Sequence, residues 1–258
     1  MSTRRSFIIT AASSDIARAL IGQLDAQSDV DLLLIARRVL TVPEGSRHCW
    51  IGNIDLTSDE HLKTLRIAAS RFDGPFTLIH CAGDFWEHRP LVRTKLSDMR
   101  RMMESHYLTL AATAATLLPL LVERRGGALV TFSCNSVRYN YPDMAPFTAA
   151  KAAVECFMRC VANEYSEFGI MANTLALPTI LTPKVQTAKQ INDPSCYVTP
   201  DEVAAVVLQT IATASHALNG NVLQLFRYSP SFFNEGYFSR NPRLEPIEPA
   251  PAVERRDA

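Results

Sequence analysis

Thr10-Ala11-Ala12-Ser13-Ser14-Asp15-Ile16-Ala17 follows the apolar run Ser6-Phe7-Ile8-Ile9 and leads into the amphipathic stretch Asp15 to Gln27. A buried-type strand that ends in a turn of small residues and passes straight into a helix opens a βαβ unit. The alternation recurs downstream. Asp31 to Ala36 (DLLLIA), Phe76 to His80 (FTLIH) and Ala128 to Ser133 (ALVTFS) have strand length and composition, whereas Ser58 to Phe72, Ser97 to Glu123 and Ala145 to Phe168 have helical spacing. Ile170 to Ala176 and Asn221 to Phe226 read as the last two strands. Strand-then-helix order predicts an α/β chain, a doubly wound parallel sheet of about seven strands forming a single domain.

Local chemistry marks some boundaries. Thr57-x-x-Glu60 and Thr199-Pro200-Asp201-Glu202 are predicted capping boxes, the second with Pro at the first helical position. The connection from Ile35 to Cys49 contains Pro43 and Gly45, so its helix is predicted to be missing or reduced to a turn. The domain is expected to span residues 1–228. Residues 229–240, rich in aromatics such as Phe232, Phe233, Tyr237 and Phe238, are expected to dock on something. Residues 241–258, with Pro242, Pro246, Pro249 and Pro251 among charges, are expected to be disordered.

The 258 residues are 47% hydrophobic, enough to bury one large core, and 26 basic residues balance 26 acidic ones. A neutral chain carries no basic field to attract nucleic acid or anionic lipid. The apolar run Phe7 to Ala12 is too short to span a membrane or to serve as a signal peptide, so a cytoplasmic location is expected. None of the six cysteines forms a Cys-x-x-Cys pair. Cys156 and Cys160, four apart on a helix, lack nearby His or acidic partners, so no metal site is expected.

The turn Thr10 to Ala17 resembles the Thr-Gly-x-x-x-Gly-x-Gly turn of the short-chain dehydrogenase/reductase family. Asp55-Leu56, Cys81-Ala82-Gly83 in place of Asn-Ala-Gly, Phe147-x-x-x-Lys151 in place of Tyr-x-x-x-Lys, and the segment Asn173 to Pro183 fall in that family's order. The resemblance covers about Ser6 to Phe226 and implies a Rossmann-like fold. It also implies a nicotinamide cofactor contacted by Thr10, Ser13, Asp15, Ile16, Arg37, Asp55, Leu56, Ala82, Gly83, Lys151 and Thr182. All three glycines of the turn are replaced: Ala11 and Ala17 add a methyl each, which suits a negative φ, and Asp15 brings a carboxylate toward the phosphate position. Arg37 and Arg38 stand where an acid would accept the ribose hydroxyls of NAD, and guanidinium groups there suit the 2′-phosphate of NADP. NADP is expected over NAD, with a cleft that takes no cofactor as the alternative.

The family's tyrosine protonates the substrate carbonyl, its lysine lowers that pKa and holds the ribose, its serine orients the substrate and its asparagine holds a relay water. By this resemblance only Lys151 is retained. Phe147 takes the tyrosine position, Cys134 the serine position thirteen residues earlier, and His106 the asparagine position. Phe has no exchangeable proton, so acid–base work falls to other groups. His106, with an ordinary pKa near 6.5, and Tyr141 are the first candidates, with Tyr139 behind them and Cys134 at the pocket wall.

Three functions follow as alternatives. The first is an NADP-dependent oxidoreductase acting on a carbonyl or alcohol of a small hydrophobic molecule. The second is a redox-neutral dehydratase, isomerase or cyclase on the same scaffold. The third is a non-catalytic member that binds a ligand or completes a hetero-oligomer with an active relative. The Ala- and Leu-rich helices Ser97 to Glu123 and Ala145 to Phe168 are faces that family members use to assemble, so a homo-oligomer is expected under each. The loop from Leu177 to Tyr197 is expected to roof the pocket.

Overall fold

In the computed structural model, seven parallel strands lie in the order β3-β2-β1-β4-β5-β6-β7. They are β1 (Arg5–Ile9), β2 (Val30–Ile35), β3 (Cys49–Ile51), β4 (Phe76–His80), β5 (Gly127–Cys134), β6 (Ile170–Leu177) and β7 (Val222–Gln224). The structure describes residues 4–38, 48–189, 191, 193–213 and 216–227. These belong to a unit spanning Met1–Arg227. Most of the expected connection between Ile35 and Cys49, and both expected C-terminal segments, lie outside the described residues.

Helices α1 (Asp15–Asp25) and α8 (Pro200–Ala212) pack on one face of the sheet, burying Leu20, Leu24, Val203 and Val207 against Phe7, Ile9, Leu32 and Leu34. Helices α2 (Asp59–Ala69), α4 (Thr109–Arg124) and α6 (Ala145–Tyr165), the last preceded by the single turn α5 (Ser136–Tyr139), cover the other face, where Leu65, Leu117, Leu121, Val154 and Met158 meet Ile8, Leu33, Leu78 and Leu129. Strands covered on both faces need continuous apolar runs, which is why β4 is buried at every position. The reversal of strand order between β1 and β4 opens a crevice at the carboxyl ends of the strands.

Two features differ from the sequence reading. The Thr199 box forms as predicted, with Thr199 Oγ1 accepting from Glu202 N–H. The Thr57 box does not. Thr57 N–H and Oγ1 both donate to Asp55 Oδ1, at 2.9 and 2.7 Å, and Ser58 becomes the N-cap of α2 without a side-chain bond. The nearby carboxylate outcompetes the helix end for the threonine. The long helix expected over Ser97 to Glu123 is interrupted: α3 (Leu96–Met102) passes through a π turn (Met103–Leu108) into α4. The whole run of 29 residues is long and apolar enough to cross a membrane by length and composition, yet Leu110, Ala114, Leu117 and Leu121 pack into the sheet core.

Candidate active site

A cleft of about 390 Å³ opens at the carboxyl ends of β1, β2 and β4. Of the residues expected to hold a cofactor, Ser13, Arg37, Asp55, Leu56, Ala82 and Gly83 line it. Thr10, Asp15, Ile16, Lys151 and Thr182 are not among its lining residues. The sequence reading missed Asp84, Arg101, Ser105 and Thr109, which close the opposite wall. These come from the segment after β4 and from the helix behind it, and only the tertiary fold brings them to face β2.

The turn after β1 is shaped by backbone bonds and one cap. Ala12 N–H donates to Ile35 C=O at 2.9 Å, tying the turn to β2, and Ser14 Oγ accepts from Ala17 N–H. Ala11 lies at φ +49°, so the expectation of a negative φ there is corrected: the methyl sits in the left-handed region, where glycine is unstrained. Asp15 occupies the first turn of α1 beyond the Ser14 cap, and Ile16 packs into the apolar core instead of facing the cleft. Thr182 is likewise spent locally. Its Oγ1 accepts from Val185 N–H at 3.2 Å and starts α7 (Pro183–Lys189).

Beneath the turn lies a closed hydrogen-bond chain. Cys81 N–H donates to Thr10 Oγ1, whose hydroxyl faces His80 Nδ1 at 3.2 Å, while His80 Nε2 meets Thr109 Oγ1 at 3.3 Å. Thr109 Oγ1 donates onward to Ser105 C=O at 2.9 Å. Because the Thr109 hydroxyl hydrogen goes to Ser105 C=O, His80 Nε2 must carry a proton and donate to Thr109 Oγ1. Burial holds its pKa down at about 3, so the ring is neutral and its other nitrogen, Nδ1, accepts from the Thr10 hydroxyl. The chain joins β1, β4 and α4 at the cleft floor.

Lys151, one turn after Phe147 on α6, is 7% exposed and donates to Phe132 C=O at 2.8 Å. Desolvation draws its pKa down to about 8, opposed by the nearby Cys134 and Glu155. The buried Glu155 carboxylate accepts from Ser133 Oγ at 2.5 Å. An apolar box gathers Trp86, Met102, Met144 and Ala150, with Cys134, Tyr141 and Phe147 packed against it. Lys151 Nζ stands 5.7 Å over the Phe147 ring. Tyr139, the reserve candidate, stacks on Tyr141 with ring centroids 6.0 Å apart but is 41% exposed.

His106 does not match the proton shuttle expected of it. Its side chain is buried in the π turn and donates from Nε2 to Asp84 C=O at 3.0 Å, leaving buried Nδ1 without a partner. Its ring meets Phe147 edge-on at 5.1 Å. Desolvation, with Lys151 adding repulsion, holds its pKa down to about 2, so the imidazole is neutral at any working pH. The donor bond makes it a brace for the Gly83–Asp84 turn.

A family model described as enoyl-(acyl carrier protein) reductase matches residues 36–225. The chain belongs to the short-chain dehydrogenase/reductase family. As a short-chain dehydrogenase/reductase it is 26% identical over 219 residues to a fatty acyl-CoA reductase of Acinetobacter baylyi, covering 79% of this chain and 72% of that one. It is also 26% identical over 188 residues to an inactive 2-(S)-hydroxypropyl-CoM dehydrogenase 2 of Xanthobacter autotrophicus, covering 67% and 81%. Among solved structures, a short-chain dehydrogenase/reductase from Mycobacterium ulcerans superposes with TM-score 0.77 at 17% identity, over 88% and 90% of the two chains. A Tyr-to-Phe variant of ElxO with NADPH bound gives 0.76 at 19%, over 86% and 96%.

The donor set of this short-chain dehydrogenase/reductase suits a nucleotide cofactor. Arg37 and Arg38 follow β2, Ile54 and Leu56 offer an apolar slot, and Ser105 Oγ is a buried polar atom of the same wall without a partner. Lys151, outside that lining, spends one of its three N–H donors on Phe132 C=O. Asp15 opposes a pyrophosphate at the α1 N-terminus, so the adenosine end carries the better fit.

Proposed function

We propose that this short-chain dehydrogenase/reductase is an NADP-dependent oxidoreductase acting on a carbonyl or alcohol of a small hydrophobic molecule, with its proton donor moved off the tyrosine position. The observation that carries the reading is the pairing of Arg37 and Arg38 in the cleft with a lysine buried behind it. Phe132 C=O takes one of the lysine's three donors and leaves two for a ligand, and two guanidinium groups at the β2 end favour a phosphorylated ribose.

When bound, the nicotinamide supplies or takes up hydride. The chain does the rest. Arg37, Ser13, Leu56 and Lys151 hold and orient the nucleotide. Trp86, Met144 and Phe147 exclude water and favour an apolar substrate, and the flexible methionine adapts to its shape. Tyr141 is the phenol sharing the box with Phe147 and Cys134, and in this reading its hydroxyl hands the proton to the substrate oxygen. Cys134 Sγ accepts from Ser136 N–H at 3.4 Å and shapes the pocket wall. The name of one relative, an NADPH-dependent pterin aldehyde reductase of Arabidopsis thaliana, points to aldehydes as first substrates.

The test is a titration with NADPH and NADH, followed through the fluorescence of Trp50 and Trp86, with Lys151→Ala as control. Saturable NADPH binding weakened by Lys151→Ala, and aldehyde-dependent NADPH consumption lost in Tyr141→Phe, is the expected result. No saturation at millimolar nucleotide overturns the reading.

Two observations favour a second reading, a non-catalytic binding protein. Phe147 places a ring without an exchangeable proton beside Lys151, and a relative sharing 26% identity is described as inactive. Nucleotide binding without turnover of any aldehyde or alcohol, unaffected by Tyr141→Phe, selects it.

A further inference from the structure

The mouth of the cleft is crossed by an ion bridge. Arg37 follows β2 and Asp84 follows β4, strands on opposite sides of β1, yet Arg37 Nη2 lies 3.9 Å from Asp84 Oδ1. From the helix behind, Arg101 Nη1 donates to the other oxygen, Asp84 Oδ2, at 3.2 Å. One carboxylate thus sits between two guanidinium groups that come from different elements, and all three residues line the cleft. Only the backbone beneath it is anchored, by His106 Nε2–H donating to the Asp84 carbonyl, so the carboxylate itself can swing away.

We propose that Arg37 and Arg101 form a two-arginine clamp for a phosphomonoester on the bound nucleotide, and that Asp84 is its resident competitor, displaced when the phosphate arrives. This rests on the NADP reading above. The chemistry favours exchange. Arg37 is 74% exposed on its side chain and Arg101 43%, so the bridge to Asp84 is screened by water and weak. A phosphate brings more charge than a carboxylate and three acceptor oxygens, which matches guanidinium forks from two directions. Arg101 also lies 3.8 Å from Asp98 Oδ1, within its own helix, so it stays near the mouth when Asp84 leaves. A nucleotide without the phosphate must break the same bridge and gains nothing from either arginine. Asp84 therefore discriminates between the two nucleotides as well as covering the slot.

The experiment measures NADPH and NADH affinity for the full chain and for Asp84→Asn, Arg101→Gln and Arg101→Lys. Asp84→Asn is expected to tighten NADPH severalfold. Arg101→Gln is expected to weaken NADPH by about tenfold, the loss of one charge-assisted hydrogen bond, while NADH changes less than about twofold. Arg101→Lys restores part of the loss. A competition needing no variant accompanies these: 2′,5′-ADP should displace NADPH at lower concentration than 5′-AMP, by a margin that shrinks with salt. NADPH binding that is equal in wild type, Asp84→Asn and Arg101→Gln overturns the clamp and leaves the NADP reading standing. Absence of binding in every protein overturns both. Binding in Asp84→Asn alone shows the competitor directly.

Discussion

Gly83 and His106 are packed so closely that a Cβ on residue 83 would lie 2.4 Å from His106 Nδ1. The glycine is thus required by the imidazole behind it. Together they fix the Asp84 carbonyl and the line of the cleft wall. Gly83→Ala is expected to destabilise the fold by about 2 kcal/mol, because neither the helix nor the strand end can yield. The cost should be smaller when His106→Ala accompanies it, and urea unfolding of the two single variants and the pair measures that coupling.

Ala11 holds a left-handed φ of +49° that glycine would adopt without strain. Ala11→Gly is expected to raise stability by about 1 kcal/mol, against the usual direction of an Ala-to-Gly change. Thermal denaturation of the two proteins decides it. A lower Tm for the variant would contradict the strain.

The two neutral histidines should make the fold acid-sensitive. Their folded pKa values are held to about 3 for His80 and about 2 for His106, below the ordinary 6.5, so the unfolded chain takes up protons first. Their contribution is complete above pH 6.5 and is lost as pH falls toward those values. From pH 6.5 to 5.0 the pair should remove roughly 3 kcal/mol, the slope for each rising toward about 1.4 kcal/mol per pH unit as the unfolded histidines become fully protonated. Denaturant titrations across that interval test this, and His80→Asn should nearly halve the slope.

Lys151 predicts a trade between stability and binding. Its folded pKa of about 8 lies below the ordinary 10.5, so the unfolded chain is favoured by protonation throughout the interval between them. The penalty is full below pH 8 and fades as pH rises to 10.5, amounting to about 3 kcal/mol. Lys151→Met should therefore be the more stable protein at pH 7 and lose the pH dependence near 9, while failing to bind nucleotide. Unfolding at pH 7 and pH 10, with NADPH titration in parallel, measures both sides.

Strands and most helices were legible because burial on both faces demands continuous apolar runs, as in Phe76 to His80, and a 3.6-residue apolar period, as in α1. The cleft was legible where its residues come just after a strand, as Ser13 does after β1 and Ala82 and Gly83 do after β4. Arg37, Asp55 and Leu56 follow their strands directly, so sequence position places them. Asp84 and Arg101 gain their role from a contact spanning β1, which no local pattern records. His106 was misread for a related reason: a histidine's pKa depends on burial and on the carbonyl it meets, and both are tertiary facts. Thr57 shows the limit of short motifs, since a carboxylate two residues earlier claimed both of its donors.

The π turn at Met103–Leu108 inserts one residue into an otherwise α-helical course. One residue is about 100° of rotation, so every side chain beyond Leu108 points a quarter-turn away from where unbroken winding would put it. Before the turn the helix gives Met102 to the apolar box, and after it the same helix gives Leu110, Ala114, Leu117 and Leu121 to the sheet. A single rod thereby serves two masters with different phases. Removing one residue from the turn would merge the phases, leaving a smoother helix that can face the core or the pocket but not both.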